Sequence, residues 1–352
     1  MTNLGNDFDV EPLNVLCRSI NNEARLHPFG MFMMRQKLTG QLESRLWAEH
    51  WFNKYPEILE QQLLPVVLIT GLQRTGTTKL QRLLSQLPGV RGLRSWEGLY
   101  PAPIGNKGET KHRINKTRMN ERAVRWISPS FYTIHPIEHN NYEEDVLLLD
   151  FQFMSSTSEA IMQVPSYAEY LNGMDQSAAY NYEIKLLKLL QWQKGGTHLV
   201  LKSPHHLEFL DTISELFPDL YLIWPHRDPK TTIPSYMSML YHGRRMFSDD
   251  VSRREIVDHW VNKIDIMLTK GLKDLSLIPK TKHLHFSDLM DDQESTLDRL
   301  CSWSGIKYQA SVQVETTYRS RHTYDLKDWE LTADNIDRQF DYYIKAMNSF
   351  ER

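Results

Sequence analysis

The spacing of apolar residues along the chain changes character near residue 63. From residue 11 to 62, Leu, Ile, Met and Trp recur at helical intervals with no strong strand run, which predicts a helical N-terminal extension over residues 1–62. At Val66 the pattern becomes a continuous β-branched and apolar run, VVLIT, followed by Gly71 and then by leucines at 80, 83, 84 and 87 on one helical stripe. That is a buried strand, a turn and an amphipathic helix. Three further runs read as strands: His198–Lys202 (HLVLK), Leu220–Trp224 (LYLIW) and His283–Phe286 (HLHF), each followed by a helical pattern. Alternating strands and helices predict one α/β domain over residues 63–352, a three-layer arrangement with a central, mostly parallel sheet flanked by helices. In such sheets ligands gather at the carboxyl ends of the strands, here the loops that begin at Gly71, Lys202 and His226.

Composition narrows the function classes. Forty-one Lys and Arg against 44 Asp and Glu give a formal charge of −3, so no global field invites nucleic acid or a membrane surface. Only Cys17 and Cys301 are present, far apart and without metal-ligand spacing, which points to a reducing compartment. The start of the chain, MTNLGNDFDVEP, is acidic and polar where a signal peptide is basic and then apolar. No apolar run approaches the roughly 20 residues of a membrane helix. A cytoplasmic protein with neither nucleic-acid nor membrane partners is expected. Two charged stretches read as solvated surface: Ile104–Trp126, with seven Lys or Arg, and the acidic cluster Glu143–Asp145 ahead of the amphipathic DVLLL. Acceptor binding, or a lid in the first case, is the alternative for each.

The turn after the first strand, Gly71 to Thr78, reads GLQRTGTT. It has the strand-loop-helix form of a phosphate-binding loop, GxxxxGK[ST], with Thr77 where the lysine belongs. Gly71 and Gly76 let successive backbone N–H groups converge, and the helix N-terminus adds its partial positive charge. A nucleoside triphosphate enzyme needs the missing lysine for its outer phosphates and a carboxylate for magnesium. LYLIWPHRD comes nearest to such a metal-binding strand, but its Asp228 lies between Arg227 and Pro229. The loop therefore suits a phosphate ester other than magnesium nucleoside triphosphate, on a P-loop-like fold.

These residues resemble the sulfotransferases that use 3′-phosphoadenosine 5′-phosphosulfate, PAPS. Their 5′-phosphosulfate loop carries a Lys or Arg followed by SGTT or TGTT, matched here by Arg74, Thr75, Gly76, Thr77 and Thr78, with Gln73 where proline is usual. Their 3′-phosphate is held by an arginine at a strand end and a serine eight residues later, matched by Arg227 and Ser235 in LYLIWPHRDPKTTIPS. Arg227 offers a planar fork to a phosphate dianion. Asp228 and Pro229 suit a helix N-cap and first turn. Between the two elements, VLKSPHHLEFL is similar to the family's KSP-type segment, whose lysine reaches the bridging oxygen of the phosphosulfate. That implies this role for Lys202.

The resemblance runs from about Leu64 to Trp329 and is greatest to the bacterial-type branch, through LRSWEGLYP and LKSPHHLE. It implies sulfuryl transfer to a hydroxyl, or an amine, of a small-molecule acceptor, with no metal. A base must take the acceptor proton. Glu97 stands where several bacterial sulfotransferases carry a catalytic glutamate, and His205 and His206 follow the lysine as a catalytic histidine does elsewhere in the family, at an interval of three or four where two is usual. HFSDLMDDQESTL resembles the family's YEDL-type segment, with Phe286 in place of the adenine-contacting tyrosine. RSRHTYDLKDW occupies the position of the basic 3′-phosphate loop and offers Arg319, Arg321 and His322, without the family's RKG. The rival readings are an atypical nucleotide kinase, or a module that binds adenosine bisphosphate without catalysis.

Overall fold

The computed structural model describes residues 3–309 and 324–350. The expected α/β architecture is observed. Five parallel strands form one sheet in the order β2-β3-β1-β4-β5: β1 Val66–Ile69, β2 Val90–Gly92, β3 His198–Lys202, β4 Leu220–His226 and β5 Thr281–His285. β1 lies centrally with all four residues buried, which explains its unbroken apolar run: a strand covered on both faces has no polar side.

Alternate residues feed the two faces. Val67 and Ile69 join Val200, Ile223 and Leu284 against Leu80, Leu83, Leu84 and Leu87, so the leucine stripe covers one face together with Leu289, Leu297 and Leu300. On the other face, Trp224 meets the long helix Arg253–Asp274 at Gly271, where a Cβ would come within 2.9 Å of the indole. Leu207, Leu210 and Phe217 are buried, as their spacing predicts.

Three strands differ from expectation: β4 runs two residues past Trp224, through Pro225 to His226. β2 reads only Val-Arg-Gly, too short and too polar to register as an apolar run. β5 starts two residues early at Thr281 and Lys282, which an edge strand leaves partly exposed, and Phe286 opens the next helix, Phe286–Asp291.

The chain divides into two compact units. The second holds the sheet: Leu64–Gly92, Gly196–Tyr241 and the described residues from Ser252 onward. The first combines the described residues up to Leu63 with Leu93–Gly195 and His242–Val251. The expected N-terminal extension is helical, Glu11–Glu23, Pro28–Lys54 and Glu57–Glu60, and falls in one unit with Leu93–Gly195. Arg45, fully buried on the second of these helices, donates to the Leu4 and Phe151 carbonyls and to Asp7, and its guanidinium lies 3.5 Å from the Tyr182 ring centre. The acidic cluster ahead of DVLLL is not a solvated start throughout: Asp145 is 1% exposed. Burial, with Asp145 beside it, holds the Glu183 carboxyl well above the carboxylate range. No helix among the described residues is long and apolar enough to cross a membrane.

Candidate active site

In the sheet unit, the loop after β1 is shaped by backbone constraints. A Cβ on Gly71 would lie 2.7 Å from the Pro225 carbonyl oxygen, so this position must be glycine for β1 and β4 to approach. Arg74 takes a left-handed conformation, φ 69°, and Gly76 another, φ 89°. A left-handed arginine is costly, and such conformations concentrate at ligand-binding loops. The buried Thr75 hydroxyl ties the turn by donating to the Leu72 carbonyl at 2.7 Å. The helix Thr77–Leu84 follows, with Thr77 buried and Thr78 exposed.

The loop and the end of β4 interlock. Arg227 donates from a terminal nitrogen to the Arg74 carbonyl at 3.0 Å, while Arg74 Nε donates to the buried Ser235 hydroxyl, also at 3.0 Å. Asp228 caps the helix Pro229–Arg244 by accepting from the Lys230 N–H at 2.8 Å, and Pro234 inside that helix immediately precedes Ser235. Phe286 closes the group: its ring lies 4.1 Å from the Arg227 guanidinium, and a Cβ on Gly76 would meet the ring at 3.1 Å. Burial lowers the Arg227 pKa and the neighbouring Arg74 charge lowers it further, against a smaller opposing pull from Asp228. Two guanidiniums whose charges repel each other, with a serine hydroxyl between their elements, have the chemistry to suit a polyanion. A nucleoside bisphosphate fits that chemistry.

The end of β3 lies alongside. Lys202, 1% exposed, pairs in register with Ile69, one residue short of the loop. The Thr70 hydroxyl crosses between the strands to the Ser203 carbonyl at 2.8 Å. Ser203 accepts from the His205 N–H and Pro204 opens a short 3-10 turn, Pro204–Glu208, in which His205 and His206 are both buried. The His205 ring packs against Phe209 at 4.8 Å. Glu208 anchors this turn through a buried ion pair with Lys263, at 3.0 Å.

Glu97 belongs to the other unit. It is 6% exposed on the short helix Ser95–Leu99, and one carboxylate oxygen accepts from the Arg94 N–H at 3.0 Å, so the residue has a capping task of its own. Sequence reasoning passed over a buried cation whose charge Glu97 helps to stabilise. Arg113, from the basic stretch, is fully buried over the Trp96 ring and donates to the Tyr100, Pro101 and Glu109 carbonyls. Burial brings its pKa down to about 10, and the Glu109 and Glu97 carboxylates oppose the fall. The only sequence signal was its place with Thr117, four residues on, in a buried stripe of an otherwise charged helix. Arg319, Arg321 and His322 lie outside the described residues.

The profile of the sulfotransferase family matches residues 65–310, which includes the loop, the β3 lysine, the β4 arginine and Phe286.

The chain belongs to the sulfotransferase family.

Two curated relatives, the omega-hydroxy-beta-dihydromenaquinone-9 sulfotransferases Stf3 of Mycobacterium bovis and Mycobacterium tuberculosis, are each 26% identical over 297 residues, covering 77% of this chain and 71% of their own. Sulfotransferase STF1 from Mycobacterium tuberculosis superposes with a TM-score of 0.83 at 26% identity, over 96% of this sulfotransferase and 93% of that chain. STF9 from Mycobacterium avium, at 21% identity and a TM-score of 0.85, shares the fold over 97% of this chain and 91% of its own. The protein is an enzyme that transfers a sulfuryl group.

Proposed function

We propose that this sulfotransferase uses PAPS as donor and a hydroxyl of a small molecule as acceptor. The observation that carries the reading is the Arg74–Ser235–Arg227 cluster beside Phe286, a cationic group built from the two segments that the family devotes to the donor's two ends. When bound, the donor supplies an activated S–O bond whose cleavage leaves adenosine 3′,5′-bisphosphate.

The chain's residues then divide the work. The loop amides with Arg74, Thr75, Gly76, Thr77 and Thr78 hold the 5′ end, and Arg227 with Ser235 holds the 3′-phosphate. Phe286 offers a flat apolar face to the base. Lys202 and Arg74 offset the negative charge that grows on the leaving oxygen; a fixed donor of that kind is worth roughly 10²–10³ in rate. Glu97, or one of His205 and His206, takes the acceptor proton, and general-base help contributes roughly 10²–10⁴. Lys202 is positioned by sheet register and not by a loop, which suits a group that must meet a developing charge with little reorganisation.

The named activity of the mycobacterial relatives places their acceptor hydroxyl on a menaquinone derivative, so isoprenoid alcohols head the acceptor screen, followed by phenols and sugars. Incubation with PAPS carrying a radiolabelled sulfuryl group is expected to label an alcohol acceptor. The same reaction with Lys202→Ala should fall by about two orders of magnitude. Bisphosphate binding without label transfer to any hydroxyl or amine class would leave a binding module and overturn the proposal.

A further inference from the structure

The helix Lys111–Ile127 carries six Lys or Arg against one Glu, on a chain whose total charge is −3. Its inner face buries Arg113 and Thr117. Arg118, Met119, Arg122, Arg125 and Trp126 are all exposed, and their spacing of three and four places them along one side of the helix. Trp126 is 84% exposed and Met119 68%, the two most exposed large apolar side chains among the described residues. The cations beside them are held along the helix: Arg125 lies over the Tyr132 ring at 4.5 Å and donates to its hydroxyl, and Arg118 approaches His139 at 3.4 Å.

A solvated helix face explains the arginines but not an exposed tryptophan and methionine that share one stripe beside them. Tryptophan favours the headgroup level of a bilayer, methionine gains by entering the acyl boundary, and long cationic side chains reach outward to phosphates. Nucleic acid would match the charge but gives Met119 no stacking partner. We propose that the Lys111–Ile127 helix docks this enzyme reversibly on an anionic lipid surface, with Trp126 and Met119 entering the interface and Arg118, Arg122 and Arg125 lying against lipid phosphates. The proposal is independent of the acceptor's identity.

Sedimentation of the full-length protein with vesicles of equal parts phosphatidylcholine and phosphatidylglycerol, and with phosphatidylcholine alone, tests it. Binding is expected only to the anionic vesicles and should weaken as salt rises. Arg122→Gln should weaken it roughly fivefold. The double change Met119→Ser with Trp126→Ser should weaken it more, while affinity for adenosine 3′,5′-bisphosphate without vesicles stays unchanged, showing that the variants are folded. The proposal is overturned by no vesicle binding, by vesicle binding indifferent to both changes, by binding to single-stranded RNA but not to vesicles, or by a dimer that the double change dissolves.

Discussion

Arg227 sits at the centre of a small set of contacts that separates binding from chemistry. Its guanidinium reaches the Arg74 carbonyl and lies on Phe286, so Arg227→Lys keeps the charge but loses the planar fork and the stacking. Affinity for the bisphosphate is expected to fall about tenfold in Arg227→Lys, measured by titration, with stability nearly unchanged. Glu97 calls for a different pair of changes because it also caps a helix. Glu97→Gln retains an oxygen for the Arg94 N–H but cannot accept a proton, whereas Glu97→Ala loses both and about 1 kcal/mol of stability. If Glu97 is the base, both lower kcat by roughly 10²–10⁴ and only the alanine variant melts earlier. Should the glutamine variant keep full turnover while His205→Asn or His206→Asn loses it, the base is a histidine. Arg74, Lys202 and Arg227 could be placed from the sequence because each lies at the end of an apolar strand run or in the turn just after one. The Arg74–Ser235 hydrogen bond could not be read there: its partners are 161 positions apart, and the sequence resemblance assigned them to opposite ends of the donor.

At the scale of elements, β3 and the turn after it carry the main stability argument. Glu208 and Lys263 form an ion pair with both side chains at most 6% exposed. Such a pair adds little net stability, but removing one member takes the counter-charge from a buried ion. Lys263→Met is therefore expected to destabilise by roughly 3–5 kcal/mol, and Lys263→Met combined with Glu208→Leu to recover much of the loss. Equilibrium denaturation of the single and double variants checks the non-additivity. Strands buried on both faces were readable from their apolar runs, and β3 begins and ends where its pattern predicts. The short β2 and the half-exposed β5 were misread for one physical reason: their side chains do not need to be apolar. The basic helix was read as solvated because charge alone does not reveal that Arg113 is buried beneath a tryptophan ring.

For the whole molecule, the ends of β4 and β5 predict how stability follows pH. His226 is hydrogen-bonded to His283 at 2.8 Å and to the Tyr343 hydroxyl at 2.9 Å, and Phe350 stacks on His283. Burial, and the charge of neighbouring histidines, hold His226 well below the usual range and bring His283 down to about 4. Both rings are neutral in the fold, so the unfolded chain binds protons first. Their contribution is fully present above about pH 6.5 and is lost as pH falls from there toward 4. Urea midpoints across that range should decline in the wild type and less steeply in His283→Phe; equal slopes would contradict the assignment. The fold class was readable from one chain, but the interleaving of the two units was not. Leu93–Gly195 interrupts the α/β alternation, and its grouping with the N-terminal helices rests on contacts that no local periodicity encodes.

The most direct test of the central claim is calorimetric titration with adenosine 3′,5′-bisphosphate, set against magnesium ATP, on wild type and Arg227→Ala. The account predicts bisphosphate binding without added magnesium, preferred over magnesium ATP, and weakened roughly ten- to hundredfold in the variant, as expected for losing a charge-assisted hydrogen bond worth about 1.5–3 kcal/mol. Preference for magnesium ATP, or a bisphosphate affinity indifferent to Arg227, would contradict it.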